Sequence, residues 1–68
     1  MEKIEIYTEF ITLGQFLKIA NIIGSGGEAK VFLSENEVYI NNELDVRRGR
    51  KLYKNDIISV LDNKYIIC

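Results

Sequence analysis

Apolar and polar residues alternate strictly over residues 3–7, KIEIY, which places Ile4 and Ile6 on one face. A period of two predicts a half-buried strand. The period then lengthens in ITLGQFLKIANIIG, where Leu13, Phe16, Leu17, Ala20 and Ile23 fall on one helical stripe. Thr12 and Gln15 have the spacing of a capping box, and Ile11 and Phe16 that of a hydrophobic staple. Ile19 and Ile22 lie off the stripe, which predicts a helix covered on more than one side. Lys18 and Asn21 lie opposite it, and Gly24 is placed to end the helix in a left-handed conformation.

A second helix is expected directly afterwards. Ser25 and Glu28 form another S-x-x-E box, and the helix continues through Ala29, Phe32 and Leu33 to about Asn36. So short a junction requires the two helices to pack closely. From Val38 the period returns to two. Asn41-Asn42 suits the positive-φ positions of a tight turn, and Leu44 and Val46 continue the alternation. Residues 57–61 and 65–67 read as two more strands, joined through Asp62-Asn63. The order predicts one α+β domain over residues 1–68, with two short packed helices against a small, mostly antiparallel sheet.

Composition narrows the class. The chain is 47% hydrophobic and has no proline, which argues against disorder. No segment is long and apolar enough to span a bilayer, and the charged N-terminus is unlike a signal peptide. The one cysteine, Cys68, cannot build a disulfide framework, so a reducing cytoplasm is expected. The net charge of −1 hides an uneven distribution: −5 over residues 1–46, +5 over residues 47–54, RRGRKLYK, and −1 over the rest. A dense basic patch sits on an acidic body.

The residues offer little for catalysis. There is no histidine, hence no ordinary base near neutral pH and no Ser-His or Cys-His pair. No Cys/His cluster suits zinc, no calcium-loop spacing occurs, and no phosphate-loop motif is present. GSGG matches the dinucleotide fingerprint only loosely and follows a helix rather than a strand. The chain is expected to be no enzyme and to hold no cofactor or metal.

Gly26 and Gly27 open the second helix, where each costs up to about 1 kcal/mol relative to alanine. Either the turn has no room for side chains, or bare backbone is needed against a ligand. The basic run is either a solvated loop or a phosphate-binding surface. Five positive charges in eight residues repel one another. Arginine pairs with phosphate in a bidentate way, which favours the second account. Tyr53, inside the run, either joins the core or stacks on a base. Tyr7, Tyr39 and Tyr65 are assigned to packing. Lys18 and Lys30 lie off the apolar stripes and can extend one basic face.

The two capped helices, the glycine turn, VYINNE and RRGRKLYKNDIISV together resemble the RNA-binding domain named after ribosomal protein S-four, with its αL motif, over residues 11–61. SGGEAK is particularly similar to the small stand-alone bacterial YaaA-like members. Strand 3–7 is then an N-terminal addition, and the length suggests a module standing alone. Where many members open the first helix with Arg-Leu-Asp, this chain has TLGQ and carries only Lys18. The resemblance implies an RNA-binding face made of Lys18, Ser25, Gly26, Gly27, Lys30, Arg47, Arg48, Arg50 and Lys51. Glu28 is assigned to capping.

The expected function is recognition of structured RNA, with ribosomal RNA implied by the resemblance, during ribosome assembly or on the ribosome. The alternative is an adaptor whose basic patch docks on an acidic protein. DNA is disfavoured because the short, glycine-led second helix offers no base-reading side chains. No membrane partner is expected.

Overall fold

In the computed structural model, which describes all 68 residues, the first and last strands lie side by side. β1 (Glu2–Ile4) pairs in parallel with β7 (Asn63–Ile67). The ladder is extended by the Ile6 N–H, which donates to the Cys68 carbonyl at 2.8 Å. The sheet continues antiparallel through β6 (Ile57–Val60) and β3 (Tyr39–Ile40) to the edge strand β4 (Glu43–Leu44). A separate two-stranded ribbon joins β2 (Ile11–Thr12) to β5 (Lys51–Leu52). The expected α+β class is observed, with one parallel pair in an otherwise antiparallel sheet.

Helix α1 (Leu13–Ile19) starts at the capping box: Gln15 N–H donates to Thr12 Oγ1 at 3.2 Å, and Thr12 N–H to Gln15 Oε1 at 2.8 Å. It ends earlier than its apolar pattern suggests. Asn21, not Gly24, takes the left-handed conformation, with φ 63°, and no glycine has positive φ. Asn21 N–H donates to the Lys18 carbonyl and Ile22 N–H to that of Leu17, a Schellman ending with asparagine in the glycine position. Residues 22–25 form the junction to a 3-10 turn (Gly26–Glu28) that leads into α2 (Ala29–Glu35). The second capping box does not form, because Ser25 Oγ donates to Glu28 Oε1 at 3.4 Å and no side chain caps the backbone there.

Leu13, Phe16 and Leu17 of α1 and Ala29 and Leu33 of α2 are buried with the inward residues of the sheet. Phe16 meets Tyr65 of β7 edge to face at 5.2 Å, tying the helix layer to the sheet. Asn41 and Asn42, with φ 52° and 71°, make the predicted tight turn. Asn41 also accepts from Ile57 N–H and donates to Asp56, which fastens that turn to the start of β6. The β6–β7 turn is centred on Leu61 and Asp62, one residue earlier than expected.

Two packing assignments are corrected. Tyr7 is 91% exposed, its hydroxyl donating to Glu5, and Tyr39 is also exposed at the sheet. Ile19 is 54% exposed, so the side of α1 that it occupies is uncovered.

Candidate nucleic-acid interface

The basic segment lies against the start of α1. Leu13 N–H donates to the Arg50 carbonyl at 2.8 Å and Gly14 N–H to the Arg48 carbonyl at 2.9 Å. Two N–H groups that the helix leaves unpaired are thereby satisfied by the basic loop. The approach is so close that a Cβ on Gly14 would lie 2.9 Å from Arg48 Cγ. Gly14 therefore sets the position of Arg48. A glycine in the first turn of a strongly patterned helix was the available signal.

Arg48 sits between the helices. It lines one groove with Lys18 and Gly26, together with Thr12, Gly14 and Gln15. On its other side it shares a second groove with Lys30, Ser34 and Val46. Two predicted lysines, Lys18 of α1 and Lys30 of α2, thus flank the Arg48 side chain from separate grooves. Ser25 and Gly27 are exposed nearby but line neither groove.

Arg47, Arg50 and Lys51 border a third depression with Tyr53 and Asp56. Here the positive charge is partly answered within the chain. Asp45 receives Arg47 Nη2 at 2.7 Å and lies 3.4 Å from Arg50 Nε, and Arg50 Nη1 is 3.8 Å from Asp56. Arg48 has no such partner. The hydrogen bond from the Arg47 side chain, aided by the Arg47 backbone N–H and the two guanidinium charges, lowers the Asp45 pKa to about 2 against an opposing effect of burial. The Asp45 pairing escaped sequence reasoning, since a carboxylate two residues before a basic run carries no distinctive pattern.

The glycines are not explained by crowding. A Cβ on Gly26 would meet nothing within 4 Å, and one on Gly27 only Ser25 Oγ at 4.0 Å. Tyr53 is 44% exposed rather than core, and its ring lies 5.9 Å from that of Phe10. Lys51 Nζ stands 4.8 Å over the same Phe10 ring. Phe10 was not anticipated as part of this surface, because it precedes the helix and fits no stripe. No cluster of acidic, His or Cys side chains suited to a metal is present.

Comparison with known proteins identifies the family. The family model described as S4 domain matches residues 4–68, which takes in both helices and β7 but only Ile4 of β1. A Bacillus subtilis (strain 168) protein named "Probable ribosome maturation protein RlbA" is 63% identical over 57 residues, covering 84% of this chain and 80% of that protein. No solved structure matches. A match over nearly the full length, together with that identity, places the chain in the S4 domain family.

Proposed function

We propose that this chain is a non-catalytic protein that binds structured RNA in the cytoplasm, with ribosomal RNA in ribosome maturation as its target. The observation that carries the reading is the placement of the unpaired Arg48 between a groove shared with Lys18 and one shared with Lys30. Cations held at fixed spacing by separate elements suit the phosphates of a folded RNA better than a mobile tail does. The name of the Bacillus relative supports the ribosomal context.

In this mechanism Arg48, Lys18 and Lys30 grip phosphates beside α1 and α2. Ser25, Gly26 and Gly27 leave open backbone beside them. Arg47, Arg50 and Lys51 extend the contact along the loop, where phosphate competes with Asp45 for Arg47 and Arg50. Recognition is by shape and charge.

Binding to ribosomal RNA across a salt series tests this. Six phosphate contacts, one for each of these cations, give a slope of log K against log[salt] of about −4 to −5.5. Arg48→Glu should abolish binding, and duplex DNA should compete poorly. A flat salt response, or no binding by folded protein at low salt, would sink the proposal and turn attention to an acidic protein partner.

A further inference from the structure

The largest groove on the molecule, about 720 Å³, lies beside the basic cluster and is not explained by phosphate binding. Its volume is in the range of about 300–1,000 Å³ typical of small-molecule sites. Phe10, Ile11 and Ile19 are its apolar lining, which it shares with Thr12, Gln15 and Lys18. Those last three residues also line the groove that holds Arg48. The two depressions therefore run together along α1, apolar at one end and basic at the other.

We propose that the apolar end receives an unpaired base of the bound RNA, stacked on Phe10, while the adjoining phosphate is held by Lys18. This rests on the RNA-binding function proposed above. Three observations carry it. Ile19 is an exposed isoleucine at a helix end, with nothing of this chain covering it. Phe10 borders the groove while Lys51 and Tyr53 contact its ring without lining that groove. The ring is thus held in place and still presents surface to an occupant. The charges are also ordered: Glu9 lines this groove and not the Arg48 groove, whereas Lys18 lines both. A carboxylate repels phosphate, so a nucleotide seats with its base toward Phe10 and Ile19 and its phosphate toward Lys18 and Arg48. An apolar protein segment gains nothing from that polarity.

The test uses the full chain and two short RNA hairpins, one fully paired and one with a single bulged 2-aminopurine, a base analogue whose fluorescence falls on stacking. Wild type should bind the bulged hairpin on the order of tenfold more tightly and quench its fluorescence. Phe10→Leu should lose both the preference and the quenching while retaining the salt slope. Ile19→Ser, an uncharged change at an exposed position that tolerates polarity, should do the same and covers the case in which Phe10→Leu fails to fold. Equal binding of both hairpins by wild type, or an undiminished preference in both variants, overturns the base site. If Arg48→Glu still abolishes binding in those cases, the RNA-binding proposal stands without it. Failure of wild type to bind either hairpin overturns both.

Discussion

The side chain of Arg48 occupies the space that a Cβ on Gly14 would need. The Gly14 N–H also donates to the Arg48 carbonyl at 2.9 Å. Two opposed effects follow for Gly14→Ala. Alanine favours the helix by up to about 1 kcal/mol. Its methyl must displace Arg48 Cγ from a 2.9 Å approach. The atom is close to the backbone, so the whole guanidinium arm has to move. Stability should change by less than about 1 kcal/mol, while RNA affinity falls. Chemical denaturation alongside RNA titration checks this; unchanged affinity would show that Arg48 placement does not matter.

Removing the helix cap should act on stability instead. Thr12→Ala leaves the Gln15 N–H without its partner and should cost about 1 kcal/mol. For a chain of this size that lowers Tm by roughly 4–8 °C. A thermal melt of the variant measures it directly.

The glycine pair offers the reverse case. Open space at Gly26 and Gly27 means that alanines fit. The double variant Gly26→Ala/Gly27→Ala should be as stable as wild type or more stable by several tenths of a kcal/mol, because the unfolded chain loses freedom. Weakened RNA binding in that stable variant would assign the bare backbone to ligand contact. Unweakened binding would remove Gly26 and Gly27 from the interface.

Asp45 makes the fold sensitive to acid. Its pKa is lowered from 3.8 to about 2, so the folded state holds the charged form more strongly than the unfolded chain does. That stabilisation is complete above about pH 4 and disappears as the pH falls toward 2. Arg47 is 76% exposed, and solvent screening keeps the contribution at or below about 1 kcal/mol. Asp45→Asn should flatten the stability profile over this window, as urea denaturation at stepped pH would reveal. A profile unchanged by the substitution would assign the acid response to other carboxylates.

Local chemistry was legible where a few neighbouring residues decide the outcome. Thr12 with Gln15, and Asn41 with Asn42, state their geometry in four residues or fewer, and both are observed. The end of α1 was misplaced because apolar spacing continues to Ile23 although Asn21 has already turned left-handed. Leu61 takes a positive φ of 50° that its side chain does not advertise. The basic run illustrates the wider limit. Its charge was plain in sequence, but its division between the Arg48 groove and the Asp45-paired edge depends on which backbone carbonyls α1 captures. That is a tertiary fact, and only Gly14 hinted at it.

The parallel ladder between Glu2–Ile4 and Tyr65–Ile67 joins opposite ends of the chain. During synthesis β1 emerges long before its partner. Until β7 is made, Ile4 and Ile6, both buried in the finished fold, have no sheet to cover them. Contacts of such long sequence separation are slow to form, so the helix pair can assemble well before the edge closes. The sheet edge at β1 therefore closes only after β7 has emerged.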